Sequence, residues 1–282
     1  MKKFITAALV GVVALSSVCA FSGCGDDAIY VDTNAYFAPF EYYDETMSNI
    51  IGVDVDIMNM VGERLGKEVK FVNTDFDVII DNVASGKKFD CGAAGITITP
   101  ARQEMVDFSN PYYTSVQYVI YKATDDMGNN VAEDGTPCVF WSQLMDKDIG
   151  VQRNTTGDLY VAYEMVGEHE GVAPEDEYFG ELEGTTGELK TYDDATVAVS
   201  AMDANRVDVV VVDELPAKYI CDRNSGYVCK ALYYDAETAT EEDYAICVTK
   251  GNTELLNAIN AVLAELGEEG INALVAQHLG LN

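Results

Sequence analysis

The chain is poor in the residues that several common kinds of chemistry require. Its 282 residues include two histidines, one tryptophan and six prolines, and only 17 lysines and arginines against 48 acids. The formal charge of −31 excludes partners held by phosphate neutralisation, DNA and RNA first among them, because such binding depends on basic side chains. The acidity itself suits a solvated surface. His169 and His278 stand at no metal-ligand spacing and no C-x-x-C occurs, so neither a metal nor another cofactor is expected. Beyond residue 24 no apolar run reaches the roughly 18 residues of a membrane span. No internal repeat marks a solenoid. What remains is 48% hydrophobic, enough for one large or two modest globular domains.

The first residues stand apart from the rest. Lys2 and Lys3 precede an almost wholly apolar or small stretch from Phe4 to Phe21, followed by Ser22, Gly23 and Cys24. This is the pattern of a secretory signal and is set aside from the fold. The small residues before Cys24 resemble the lipobox of bacterial lipoproteins, with Phe21 where leucine is usual. That resemblance implies removal of residues 1–23, lipidation of Cys24 and a short tether over 24–28. The mature chain would then be extracytoplasmic, held to the cell membrane by lipid alone; a cleaved, freely secreted product is the alternative. Cys91, Cys138, Cys221, Cys229 and Cys247 read as small buried apolar residues, with Cys221 and Cys229 close enough in sequence to pair.

From Ile29 onward the pattern alternates. Strands are expected at Ile29–Thr33, Val69–Asn73 and Phe89–Ala94, with helices at Gly52–Leu65 and Phe76–Ala84; Asn34–Tyr43 reads as an aromatic turn. In the first helix Val53, Ile57, Val61 and Leu65 fall four apart, an apolar stripe. The strand Val116–Ala123 leads into a polar loop, 125–136, without periodicity. A second unit follows, with strands at Ile149–Gln152, Leu189–Tyr192, Val207–Val212 and Val228–Tyr233. Its helices open at Thr155, at Ala195 behind the capping Asp193, and at Glu214. The acidic stretch 164–188 reads as irregular. Asp243–Thr249 is a final strand, and Thr253–Leu266 and Ile271–Leu279 are amphipathic helices. The expected architecture is α/β, two parallel-sheet units joined by crossings near 112–120 and 235–244. Lobe 1 takes 29–114 and 243–282, and lobe 2 takes 115–242.

Ligands of open α/β sheets bind at the carboxyl ends of strands, and four such ends carry polar groups. Asn34 and Phe37 follow the first strand. Gly92 and Gly95 let a ligand approach the backbone ahead of Thr97, Thr99 and Arg102, whose guanidinium matches a carboxylate's two oxygens. Thr155 and Thr156 follow Gln152 at a helix start, where free N–H groups favour an anion. Asp213 ends the most apolar strand, and a buried carboxylate without a cation is costly. An arginine in one unit and a lone carboxylate in the other match the two charges of a zwitterionic α-amino acid. Simpler roles stay open: Arg102 paired with Glu104 or Asp107, Thr155 and Thr156 as a helix cap, Asp213 as a cap of the helix after it, and Phe37, Phe40 and Phe76 as core.

Six segments resemble the family-3 bacterial solute-binding proteins, the polar amino-acid receptors of ABC importers. They are T-N-A-Y-F-A-P-F-E-Y (33–42), G-V-D-V-D-I (52–57), G-I-T-I-T-P-A-R (95–102), V-D-F-S-N-P-Y-Y (106–113), G-V-Q-R-N-T-T-G (150–157) and R-V-D-V-V-V-V-D (206–213). The resemblance implies a two-lobed periplasmic-binding-protein (type II) fold that closes about two crossing hinge segments on a free amino acid, monomeric and read by an ABC permease and ATPase. It implies that Arg102 takes the α-carboxylate with Thr97 and the backbone of Gly95 and Thr156. Asp213 would take the α-ammonium, and Phe37 and Phe76 would sandwich the side chain. Basic- and glutamine-binding relatives have aspartate at the position of Asn34, and glutamine binders have lysine at that of Gln152. The neutral amides here imply a preference for uncharged polar amino acids. A few members of this fold are cyclohexadienyl dehydratases, and others sense ligand for a membrane receptor. An enzyme would need a positioned acid or base, for which Glu41 and Asp213 are the candidates, since neither histidine lies in a motif.

Overall fold

The computed structural model describes residues 27–166 and 180–281. The leader, Cys24, His169 and most of the acidic 164–188 stretch lie outside these residues. Two sheets carry the molecule. The first has five strands in the order Val69–Asn73, Ile29–Thr33, Cys91–Gly92, Cys247–Val248, Asp107–Phe108. Its first three are mutually parallel, and the fourth runs antiparallel to both neighbours. The second sheet orders Leu189–Tyr192, Ile149–Gln152, Val209–Asp213, Tyr113–Lys122, Tyr227–Tyr233, Pro137–Phe140 and Asn130–Val131.

The run Val209–Asp213 is buried at every position, as expected of a central strand covered on both faces. Helix Val53–Leu65 lays Val53, Ile57, Met58 and Val61 into the core and ends on Gly66 in the left-handed conformation. Helix Ala195–Asp203 starts under the Asp194 carboxylate, which accepts from the Val197 N–H at 2.9 Å. The expected cap, Asp193, lies one residue early.

Two segments connect the sheets, and they lie side by side. The strand Tyr113–Lys122 is ten residues long. Its first half pairs antiparallel with Glu241–Tyr244, and its second half enters the second sheet between Val209–Asp213 and Tyr227–Tyr233. The other connection is tied to the first sheet through Ile98 N–H to Asp243 C=O and Ala245 N–H to Ile96 C=O.

Several expectations change. The 34–43 turn is the start of a small three-stranded sheet, Tyr36–Phe37, Glu41–Tyr43 and Ile50–Ile51. The polar loop 125–136 contains the strand Asn130–Val131, paired with Pro137–Phe140; two residues are too few to show periodicity. The strand expected at Asp243–Thr249 is two strands, Glu241–Tyr244 and Cys247–Val248, because the chain leaves one partner for another between them. The two expected C-terminal helices are kept: Thr253–Leu279 is two helices meeting at a kink at Gly267, where φ is +57°. Phe76–Val78 is a 3-10 turn ahead of helix Ile79–Ser85. All five cysteines of the described residues are free, Cys221 and Cys229 included. No helix among the described residues is long and apolar enough to cross a membrane.

Candidate functional site

The carboxyl ends of strands from both sheets meet around one narrow cavity, with only about 10 Å3 of open space left in this closed form. It is lined by Asn34, Phe37, Phe76, Gly95, Thr97, Gln152, Thr155, Thr156 and Asp213, joined by Ala94 and Glu41. Every expected residue is therefore on the wall except Arg102. A larger groove of about 340 Å3 runs outside, along Tyr36, Tyr42, Tyr43 and Tyr219. It is open and mostly apolar, so the smaller cavity holds the chemistry.

Arg102 lies just behind the wall. Thr99 caps its helix, accepting from the Arg102 N–H at 3.2 Å with Pro100 at the first helical position. That cap, which suits a threonine followed by proline, aims the arginine inward at 8% exposure. Its guanidinium pairs with neither Glu104 nor Asp107. One Nη donates to the Thr97 carbonyl and the other to the Asn154 carbonyl of the opposite sheet, each at 2.9 Å. It also sits 5.5 Å over the Phe76 ring. A guanidinium has five N–H donors, so three remain for a ligand. Among the described residues Arg102 is the one buried cation.

Asp213 is the residue before helix Glu214–Arg223 but makes no side-chain cap bond. Its carboxylate instead accepts from Tyr244 OH at 2.6 Å and Gln117 Nε2 at 3.1 Å. Thr155, in contrast, is a cap: it accepts from the Asp158 N–H at 3.3 Å and donates to the Gln152 carbonyl at 2.8 Å. Gly95 has φ +53°, and a Cβ there would stand 2.5 Å from Phe37; only glycine allows that ring so near the backbone.

The amides expected to select the side chain bond to each other across the cavity. Gln152 Nε2 donates to Asn34 Oδ1 at 2.9 Å and to the Asp193 carbonyl at 3.2 Å, and Asn34 Nδ2 donates to the Thr74 carbonyl at 2.8 Å. They form a latch between the sheets.

Several residues were not singled out from the sequence. Glu242, on the second connecting strand, accepts from Thr97 OH at 2.7 Å and also from Thr156 OH and Gln117 Nε2. Its carboxylate thus lies between the two threonine hydroxyls, one from each sheet. Asp54, in the first turn of its helix, accepts from the Gly95 N–H at 3.0 Å and Tyr112 OH at 2.6 Å, fixing the glycine loop. Glu41 enters the cavity from the small sheet. A period-2 reading of E-E-D-Y would have put Glu242 and Tyr244 on one face, but nothing in the sequence says which face.

Four carboxyls, Glu41, Asp54, Asp213 and Glu242, are thus buried near a single guanidinium. Burial pushes Asp213 well above the ordinary carboxyl value, and Glu242 beside it adds to the rise. Burial does the same to Glu41, with Asp54 and Asp213 contributing. Asp54 rises from 3.8 to about 6, again through burial, although Tyr112 and Gly95 oppose it. A carboxyl raised in the fold stabilises it fully below the unfolded value near 4, and that contribution is lost as pH climbs through the folded value. From Asp54 alone the loss by pH 8 is about 3 kcal/mol. Ligand-free protein is therefore expected to melt at progressively lower temperature from pH 5 to pH 8, with a smaller decline in Asp54→Asn. Equal declines in the two proteins would contradict the assignment.

This geometry agrees with what the chain is similar to. The model of bacterial extracellular solute-binding proteins, family 3, matches residues 29–280. An L-arginine-binding protein of Pseudomonas aeruginosa is 27% identical over 96% of this chain and 93% of its own length. The structure of holo ArgBP from T. maritima is 30% identical, covering 87% of this chain and 94% of that one, with a TM-score of 0.67. An ancestral arginine-binding protein bound to glutamine is also 30% identical, covering 90% and 98%, with a TM-score of 0.70. These are binding proteins and not enzymes, in line with the expectation from the sequence. The chain has the two-lobed α/β periplasmic-binding-protein fold, and it belongs to the bacterial extracellular solute-binding proteins of family 3.

Proposed function

We propose that the chain is an extracytoplasmic receptor that closes two lobes on one free α-amino acid and presents it to an ABC importer. One observation carries the reading: a narrow inter-lobe cavity lies between Arg102, the one buried cation among the described residues, and the Asp213 carboxylate from the opposite sheet, which caps no helix. The α-carboxylate takes the remaining Arg102 donors and the Thr97 and Thr156 hydroxyls, where Glu242 now lies. The α-ammonium takes Asp213. Neither sheet satisfies both charges, so the ligand itself favours the closed form. Relatives named for arginine binding support an amino acid as the class. The preference for an uncharged side chain rested on Asn34 and Gln152, which are bonded to each other; it loses that support. Anchoring through Cys24, a monomeric state and a permease partner belong to the same proposal.

A melting screen tests it. Ligand at about 100 times its Kd stabilises by roughly 2.7 kcal/mol, which for a chain of this size raises Tm by about 5–10 °C. At least one α-amino acid should produce such a shift, while its decarboxylated amine and its N-acetyl form should not. A full panel of amino acids without any shift would end the proposal.

A further inference from the structure

We propose that Cys221 and Cys229 are a redox pair, which a small disulfide oxidant closes into a staple between the helix Glu214–Arg223 and the strand Tyr227–Tyr233. Neither residue lines the ligand cavity, so the inference stands apart from the amino-acid reading.

The fold sets the two side chains against each other. Cys221 lies one turn after Ala217, which is fully buried, so it sits on the helix face turned to the sheet. The helix stops at Arg223 and a tight turn reverses the chain. Asn224 N–H donates to the Cys221 carbonyl at 3.1 Å, Gly226 N–H to Asn224 Oδ1 at 3.0 Å and Tyr227 N–H to the Asn224 carbonyl at 3.1 Å. In the strand that follows, Tyr227, Cys229 and Ala231 share one face, and register places Cys229 opposite Ile120 of Tyr113–Lys122. Both cysteines pack on the same core as Ala217, Ile120 and Ala231. Their sulfurs are hydrogen-bonded to one another. A small further approach brings such sulfurs to the ~2.05 Å of a disulfide.

The pair also differs from the other cysteines in reach and in charge. Cys91, Cys138 and Cys247 are each 0% exposed, whereas Cys221 and Cys229 are only partly buried. The hydrogen bond from Cys221 holds the Cys229 thiol below its ordinary value against the effect of burial, and Lys218 adds to the lowering. The same bond pushes Cys221 up. One sulfur is therefore favoured as the thiolate while the other keeps its proton, which suits stepwise thiol–disulfide exchange. A family of extracellular binding proteins works where disulfides persist.

The exchange balances without any further reagent. The Cys229 thiolate attacks one sulfur of the oxidant, whose other half leaves as a thiolate and takes a proton from solvent. Cys221 then loses its proton and attacks Cys229 Sγ, expelling the second half as a thiol. Two protein thiols are oxidised, and one small disulfide is reduced to two thiols.

Peptide mapping of the full chain tests this. Trypsin cuts after Lys218, Arg223 and Lys230, so Cys221 leaves on 219–223 and Cys229 on 224–230, and only a disulfide joins the two. The folded protein is equilibrated with oxidised glutathione, and remaining thiols are then blocked under denaturing conditions. We expect the joined peptides to carry most of both cysteines and to separate on reduction, while Cys91, Cys138 and Cys247 are recovered blocked. The oxidised protein should melt at least about 4 °C above the reduced one, since a disulfide restricts the unfolded chain. In Cys221→Ser, Cys229 should retain glutathione as a mixed disulfide, formed at least about tenfold faster than on Cys221 in Cys229→Ser. Separate peptides with blocked thiols from the oxidised, unsubstituted protein would overturn the inference without any variant. Joined peptides with no rise in melting temperature would overturn the staple, and equal rates in the two variants would overturn the order of attack.

Discussion

Replacing Arg102 with alanine is expected to weaken amino-acid binding by at least two orders of magnitude while the ligand-free fold survives. Removing one partner of a desolvated charge pair costs about 2–5 kcal/mol, and here the loss is compound. Among the described residues the guanidinium is the one buried positive charge, beside four carboxyls, so its removal leaves the ligand carboxylate in an acidic cavity with hydroxyls alone. It also removes the bond to the Asn154 carbonyl, which crosses between the sheets, so closure weakens along with recognition. Arg102→Lys distinguishes the two contributions. Lysine keeps the charge but cannot hold two carbonyls and a carboxylate in one plane, and an affinity between those of wild type and alanine is expected. Titration calorimetry checks the series. An Arg102→Ala protein that binds as tightly as wild type would remove the guanidinium from the site.

Asp213→Ala is the second large effect, and it has an opposite sign for stability. Ligand affinity should drop by about two to three orders of magnitude, since the buried ammonium would lose its carboxylate partner. The empty protein, in contrast, should gain stability at neutral pH. Asp213 is raised well above the carboxyl range by burial and by Glu242, so its ionised form strains the closed molecule at pH 8 and its removal relieves that. A higher apo Tm with a much smaller ligand-induced shift is the expected pair of results. A ligand-induced shift equal to that of wild type would place the ammonium elsewhere.

The elements with a plain period were legible from the sequence. Leu189–Tyr192 and Ile149–Gln152 were read at the residues where they occur, and Asp213 was correctly placed at the end of a buried strand, because an apolar run ending on one charge admits few arrangements. The cavity wall was legible too, since its residues follow strand ends. What remained hidden depended on pairing. Whether Asn34 meets a ligand or Gln152 is decided by how the two sheets approach, which no local pattern encodes. Glu41 was noticed only as a candidate acid, because its burial beside Asp54 and Asp213 depends on how separate segments pack. Arg102 and Thr99 show the same division: the cap was a local matter, whereas the carbonyl of Asn154 lies 52 positions away.

Glu242 gives binding an unusual thermodynamic form. Its carboxylate already holds the hydroxyls of Thr97 and Thr156, which belong to opposite sheets, and it projects from the strand that joins those sheets. An arriving α-carboxylate finds no idle donors there; it takes them over from a resident anion. In the proposed mode, binding exchanges one carboxylate for another on these two hydroxyls, and their hydrogen bonds change little in number. In that mode the free energy of association then comes from what the resident group leaves unused, the remaining Arg102 donors, and from a positive charge for Asp213.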